Sequence, residues 1–417
     1  MPEKKDKKKG KKGHKQLDTS ILKRFLKTYE SHCAESQSLA SPTITQALKK
    51  SIQNGRRYVK VLLTSPEKLS EDSRPVYLKP LLMTIRDVRY MAGTDLGVWG
   101  IPLSNEDVAS LAILLELSGR TSYPFSRLDL INCRIDTWSM ERLGRAIRCS
   151  QLTSLSLDYN EFQDDGIQGL VQCLEANKRL VSLSLCYCNL GPESGAVLGK
   201  VLAETAISEL YLNGNHLQCS GAVDLITTIA EHCKALATEE LPEVPTSLAH
   251  QFLEAYDNVG VHTAISEQPA NMGRREDVAK KTTVRRKSKR KGSKKKSKRL
   301  VVPGPWVSKL HLADNGIDAM GKEGKIGVLE FSQLLSCLIR CSKQLSELNI
   351  DNNCLGEMAA NDILEALADR NKAKLPRLKI NVTAQIPSDT FKAISTNSGK
   401  LKLSKKKKKV KPKSKLC

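Results

Sequence analysis

Cysteine and histidine are the side chains that could carry nucleophilic or metal chemistry here, since the chain contains 12 Cys and 7 His. The shortest cysteine spacings, Cys186-x-Cys188 and Cys337-x-x-x-Cys341, do not match a zinc-binding pair, and no histidine pair completes either of them. The histidines are spread along the chain with no serine and carboxylate set attached. We therefore expect structural thiols, no cofactor and no enzymatic activity.

Two glycine-containing segments come close to ligand-binding motifs. Residues 316–322 have the spacing Gly-x-x-x-x-Gly-Lys of a phosphate-binding loop, but Glu323 stands where a Ser or Thr hydroxyl must bind Mg²⁺. Residues 324–330 place Gly, Ile and Glu at the last conserved positions of an EF-hand loop. The first ligand positions, Ala319 and Gly321, offer no side-chain oxygen. We expect neither a nucleotide site nor a calcium site.

The positive charge of the chain lies in three segments. The 67 Lys and Arg against 45 Asp and Glu give a net charge of +22. Residues 1–15, 274–299 and 400–417 carry +6, +13 and +10, which leaves −7 for all other residues. Because these segments are highly charged and poor in apolar side chains, we expect them to be disordered. The middle segment includes Arg285, Arg286, Lys287, Lys289, Arg290, Lys291, Lys294, Lys295 and Lys296.

These basic segments admit several uses. They could contact nucleic acid, act as nuclear-import signals, hold an acidic polymer such as a microtubule surface, or serve only as solvated tails. No aromatic residue is interleaved with the lysines, so base stacking is not expected there. Ser288 follows Arg285-Arg286-Lys287 and resembles a basophilic kinase site, where a phosphate would subtract about two charges.

A frame of the form Leu-x-x-Leu-x-Leu-x-x-(Asn/Cys)-x-Leu recurs along the chain. The first leucine of the Leu-x-Leu pair in the six full copies is Leu128, Leu155, Leu183, Leu210, Leu310 and Leu348. The first four of these are 27, 28 and 27 residues apart. A degraded copy precedes them at residues 96–103, and another follows them at 375–383.

Each copy of the frame predicts one strand and one helix. The Leu-x-Leu pair has the period of a strand with one buried face. The Asn or Cys lies where the chain leaves the strand, and its side chain can form a hydrogen-bonded ladder between units. A helical period follows, as in Ile167, Leu170 and Leu174.

The frame resembles that of the leucine-rich-repeat family, in particular its ribonuclease-inhibitor type. The resemblance implies an α/β leucine-rich-repeat solenoid, or horseshoe, of about seven to eight strand–helix units. A helical N-terminal cap and the disordered basic segments would complete the chain. Repeats interrupted by a Lys-rich insert are also similar to leucine-rich-repeat proteins of motile cilia and sperm flagella.

The predicted organisation has six parts. They are a disordered basic tail (1–16), a helical capping region (17–95), a first repeat block (96–233), an insert (234–306), a second repeat block (307–383) and a disordered basic tail (384–417). The insert follows from the 100 residues between Leu210 and Leu310, which the edge of a solenoid tolerates. We expect both blocks to stack as one solenoid, because either block alone would expose a leucine-lined end.

The residues between the strand leucines are predicted to form a concave, protein-binding face. Most of its side chains are small and polar, and the face is slightly acidic. The predicted binding residues are Asp129, Ser156, Asp158, Tyr159, Ser184, Tyr187, Tyr211, Asn213, His311, Asn349 and Asp351. The three tyrosines form a predicted cluster of anchors, since tyrosine brings a large contact area with few rotors. The alternative is that they only cover neighbouring strands.

The leading hypothesis is a non-enzymatic scaffold that binds a protein through this face and an acidic assembly, such as the ciliary axoneme, through the basic segments. The alternative is a nuclear or nucleolar protein whose basic segments bind nucleic acid non-specifically. Proteins of this repeat type also regulate GTPases or actin ends, but no residue of this chain supports such a role.

The longest apolar stretch, residues 108–117, is too short to span a membrane, and no signal peptide is evident. We therefore expect a cytoplasmic location with no membrane contact, while the oligomeric state stays open.

Overall fold

The computed structural model describes residues 19–66, 74–116, 122–175, 177–239, 306–383 and 385–398. The predicted basic segments 1–15, 274–299 and 400–417 lie outside these residues, as does most of the predicted insert. The described residues up to 237 and from 306 onwards belong to one compact unit, to which the following description refers.

Nine parallel strands form one open sheet in the described part of the chain, and their order in space is their order in sequence. The strands are β1 (Lys60–Thr64), β2 (Asp95–Trp99), β3 (Arg127–Ile131), β4 (Ser154–Ser156), β5 (Ser182–Ser184), β6 (Glu209–Tyr211), β7 (Lys309–His311), β8 (Glu347–Ile350) and β9 (Lys379–Val382). The frame leucines pair with one another, for example Leu128 with Leu155 and Leu155 with Leu183. This is an α/β solenoid of leucine-rich-repeat-like units.

A helix follows every strand, after two helices at the amino end of the described chain. The helices are α1 (Ser20–Glu35), α2 (Pro42–Gln53), α3 (Lys79–Val88), α4 (Asn105–Glu116), α5 (Thr137–Cys149), α6 (Gln163–Leu174), α7 (Glu193–Glu204), α8 (Gln218–Glu239), α9 (Gly324–Cys341), α10 (Gly356–Lys372) and α11 (Ser388–Asn397). Local sequence explains where some of them begin. The Asp136 carboxylate accepts a hydrogen bond from the Ser139 backbone N–H at the start of α5, and Pro42 begins α2.

The core lies between the sheet and the helices. The frame leucines are buried, with Leu183 and Leu310 fully enclosed. The predicted helical positions Ile167, Leu170 and Leu174 are also fully buried. Both periods read from the sequence therefore meet in one continuous core.

The predicted ladder of frame Asn and Cys side chains is present. The Asn160 amide donates hydrogen bonds to the carbonyls of Leu130 and Leu157, both at 2.8 Å. Its Oδ1 accepts from the backbone N–H of Cys133 at 2.9 Å, so one side chain ties two units together. A frame cysteine does less, because the Cys188 thiol only donates to the Leu157 carbonyl at 3.2 Å and to the carbonyl of a neighbouring residue.

The sheet continues across the insert, as expected. Leu210 of β6 pairs directly with Leu310 of β7. The next unit has about ten residues more than the others, and α9 absorbs part of them, since it has 18 residues where α6 has 12.

The structure differs from the predicted organisation at both ends. Within the predicted helical cap, β1 and α3 make an additional strand–helix unit, because Tyr58, Val61 and Leu63 occupy the leucine positions of the frame. Within the predicted disordered tail 384–417, α11 is a helix that buries Ile394. Within the described residues, no helix is both long enough and apolar enough to cross a membrane.

Candidate binding face and its edge

The sheet arranges the predicted binding residues in rows. Strand pairing places six residues side by side, each directly after the first strand leucine: Asp129, Ser156, Ser184, Tyr211, His311 and Asn349. Asp158, Asn213 and Asp351 each follow two residues later and form a second row beside the first. The side chains of the first row are half-buried. They lie on the strand face that we call the concave face.

A groove of about 700 Å³ runs over the middle of the concave face. Its floor carries four small side chains from β4 and β5, namely Ser154, Ser156, Ser182 and Ser184. Charged and aromatic side chains stand at its two ends, namely Arg127 and Asp129 on one side and Glu209, Tyr211 and Lys309 on the other. The groove therefore has small side chains at its centre and charged side chains at both ends.

Asp158 serves the structure of this face. Its carboxylate accepts hydrogen bonds from the hydroxyls of Ser156 (2.9 Å) and Ser184 (2.7 Å) and from the Cys186 backbone N–H (2.9 Å). These bonds bridge the units of β4 and β5. Asp129 lies one unit away, and burial raises the pKa of its carboxyl against the opposing effect of nearby cations, first among them Arg127.

Alternating charges form a ladder along the amino ends of the last four strands. Lys309 Nζ lies 2.8 Å from a Glu209 carboxylate oxygen, and Lys379 pairs with Glu347. His311 Nε2 is 3.4 Å from the same Glu347 carboxylate, yet burial lowers the pKa of His311. The hydrogen bond from Lys309 to Glu209 raises the pKa of Lys309, so the lysine stays protonated.

The predicted tyrosine cluster divides into two pairs. Tyr159 and Tyr187 stack face to face, with ring centroids 4.7 Å apart and ring planes 7° apart. They lie on the loops that follow β4 and β5, and they are 52 % and 42 % exposed. Tyr211 instead meets the His311 ring edge-on at 4.7 Å on the concave face.

The cysteines of the described residues are free thiols. Burial raises the pKa of Cys133 to about 12 and that of Cys186 to about 11, which makes both poor nucleophiles near neutral pH. Among the described residues, no group of three or more His, Cys, Asp or Glu side chains is arranged to hold a metal ion.

Sequence reasoning named His311 but missed Glu209, Lys309 and Glu347 beside it. Glu209, Lys309, Glu347 and Lys379 share one frame position, directly before the first strand leucine or isoleucine. The available signal was the alternation of sign at that position. The basic residues 285–296 and the predicted phosphorylation site Ser288 lie outside the described residues.

Comparisons with known proteins add no further assignment: no protein-family model matches this sequence, and no curated protein matches it. The candidate face is therefore interpreted from its own geometry.

Proposed function

We propose that this protein is a non-enzymatic scaffold of the leucine-rich-repeat family, ribonuclease-inhibitor type, which binds a protein partner in the groove of the concave face. The serine floor between charged ends is the observation that carries this proposal. Small side chains let a partner approach the sheet closely. The charged ends supply electrostatic complementarity, which gives an interface specificity.

The Lys-rich segments extend this proposal to a second attachment. With +13 on residues 274–299, the chain would bind an acidic assembly, and its repeat-plus-insert architecture favours the ciliary axoneme. Nucleic acid is the competing acidic partner for the same segments, which would place the protein in the nucleus or nucleolus.

Groove binding can be tested without loss of a structural bond. Among the described residues, Ser154 and Ser182 make no side-chain hydrogen bond, so Ser154→Arg and Ser182→Arg fill the groove with little other effect. Ser395→Arg on the exposed side of α11 is a matched control. We expect proximity labelling in cells to lose the same set of proteins with both groove variants and to keep it with the control.

Two outcomes bear directly on the proposal. Retention of every labelled protein by both groove variants would contradict binding in the groove. Deletion of residues 274–299 tests the second attachment in detergent-extracted ciliated cells. Label kept along the axoneme by the full chain and lost with the deletion supports the scaffold. Nuclear label lost with the deletion, together with steeply salt-dependent RNA or DNA binding, supports the nucleic-acid alternative.

A further inference from the structure

In each of the six full copies of the frame, the same position at the carboxyl edge of the sheet has a left-handed backbone. It directly precedes the frame Asn or Cys, and successive residues are Asn132, Tyr159, Tyr187, Gly214, Asp314 and Asn352, with φ between 52° and 70°. The backbone N–H of Tyr159 donates to the Cys186 carbonyl of the next unit at 2.8 Å, and that of Tyr187 donates to the Asn213 carbonyl at 2.9 Å. These residues therefore follow one another at the spacing of neighbouring strands.

Residue types at this position show that the two tyrosines are exceptional. Asn, Asp and Gly are the residues that enter the left-handed region most readily, and they occupy the other four units. A bulky tyrosine there is unfavourable, and unfavourable backbone is typically kept where it has a function. Two adjacent units carry this same departure.

The two rings form one platform with Gly214. A Cβ atom placed on Gly214 would come within 2.1 Å of Tyr187 Cε1, so the Tyr187 ring lies directly over the glycine backbone. The Tyr159 ring stacks on the Tyr187 ring. We call Tyr159, Tyr187 and Gly214 the tyrosine ledge. The rings of Tyr159 and Tyr187 remain about half exposed although they stack on each other, whereas the rings of Phe25 and Tyr90 are buried.

The loops along this edge are acidic. From the loop after β4 to the loop after β8 they carry six acidic side chains and one basic side chain, Lys322. The acidic residues are Asp158, Glu161, Asp314, Asp318, Glu323 and Asp351. Asp314 is close enough to raise the pKa of Tyr187, although desolvation is the larger cause. The Asn352 amide holds the Asp314 carboxylate at 2.9 Å. Such an edge repels phosphate and attracts cations.

We propose that the tyrosine ledge binds an arginine side chain of the protein partner. A planar guanidinium stacks on aromatic rings while its N–H groups reach neighbouring carboxylates such as that of Asp314. The compact, strongly hydrated ammonium of lysine does this less well. This inference rests on the proposed protein-binding function and specifies one chemical group of the partner.

Fluorescence anisotropy of labelled hexa-arginine and hexa-lysine peptides with the full chain tests the proposal, at about 0.15 M salt to screen long-range charge. We expect hexa-arginine to bind at least about fivefold more tightly than hexa-lysine. The double variant Tyr159→Ala/Tyr187→Ala should abolish this preference, whereas Tyr159→Phe/Tyr187→Phe should retain it within about twofold, because phenylalanine keeps the stack. Tyr77→Ala, which removes an exposed tyrosine elsewhere, is the matched control.

Several results would overturn the proposal. Equal binding of both peptides, or an arginine preference that survives the double alanine variant, would show that the ledge does not select guanidinium. Arginine binding seen only after deletion of residues 274–299 would mean that the chain's own arginines occupy the ledge. None of these results depends on which proteins the groove variants label in cells. Failure of arginine binding at the ledge is therefore distinguishable from failure of partner binding in the groove.

Discussion

Arg370 is the largest fully buried side chain among the described residues, and it binds four backbone carbonyls. Its Nε donates to the Pro376 carbonyl at 2.9 Å, its Nη1 donates to those of Ile339 (2.8 Å) and Ser342 (2.7 Å), and its Nη2 donates to that of Leu345 (2.9 Å). The carbonyls of Ile339 and Ser342 lie at the carboxyl end of α9, where helical carbonyls have no intrahelical partner. Burial lowers the pKa of Arg370, but an arginine remains charged.

Substitution of Arg370 by methionine should therefore be strongly destabilising. Four buried carbonyls lose their partner, at about 1 kcal/mol or more each, so we expect a loss of about 4 kcal/mol in the free energy of unfolding. Arg370→Lys keeps the charge but reaches fewer carbonyls, and it should lose about 2 kcal/mol. Because units of a solenoid interact mainly with their neighbours, the loss should be concentrated in α9, α10 and β9.

Urea unfolding combined with hydrogen exchange measures both quantities. Amides of α10 and β9 should exchange faster in Arg370→Met, while those of β4 and β5 stay protected. Arg142→Met is the matched control, since Arg142 forms a half-exposed pair with Glu116 at 2.6 Å and should contribute about 1 kcal/mol or less. If Arg370→Met unfolded within about 1 kcal/mol of the parent, the view that these four bonds hold the carboxyl-terminal units would be wrong.

Two further predictions concern the edge and the face. Gly214→Ala and Gly316→Ala both place alanine in a left-handed backbone, with φ of 70° and 65°, but only Gly214→Ala places a Cβ in the Tyr187 ring. Urea unfolding should therefore show a loss in the free energy of unfolding that is larger for Gly214→Ala by about 1 kcal/mol. Because burial holds the pKa of His311 below its usual value, the unfolded chain takes up the proton first as pH falls from about 7. Stability should therefore decline as pH falls from the unfolded pKa of about 6.5 to the lower folded pKa. His311→Gln should remove that step, which begins above the range where Glu347 titrates.

Most of the fold could be predicted because the leucine frame encodes both of its elements. The strand pair and the helical period of one unit, such as Leu155 with Ile167, are buried in the same core. The unit of β1 escaped prediction because Tyr58 and Val61 replace leucine in its frame. The helix α11 escaped it because Ile394 is its only fully buried residue among ten.

The candidate site could be predicted only as a set of rows. A period of two places Ser156, Ser184 and Tyr211 on one face whatever their chemistry. It says nothing about the direction of a ring that leaves a left-handed backbone, so the stack of Tyr159 on Tyr187 could not be foreseen. Charge pairs such as Glu209 with Lys309 could have been inferred from their shared frame position, because the strand leucines set the register across the insert.

The frame asparagine at the junction across the insert makes fewer hydrogen bonds than Asn215, and this yields a last prediction. The Asn215 amide group is fully used: its Oδ1 accepts from the backbone N–H of Cys188 and Leu190, and its Nδ2 donates to the carbonyls of Leu185 and Leu212. Asn315 also donates two bonds, but its buried Oδ1 has no partner among the described residues. Only one of these two frame asparagines therefore secures backbone N–H groups of the unit before it.

Substitution by cysteine, which the frame itself uses at Cys188, separates the two roles. Asn215→Cys leaves two buried N–H groups unpaired and should lose about 2 to 3 kcal/mol, whereas Asn315→Cys loses no accepted bond and should lose about 1 kcal/mol or less. Urea unfolding of both variants measures the difference. Equal losses for the two variants would mean that a donor for the Asn315 Oδ1 exists, and that the insert does not interrupt the ladder.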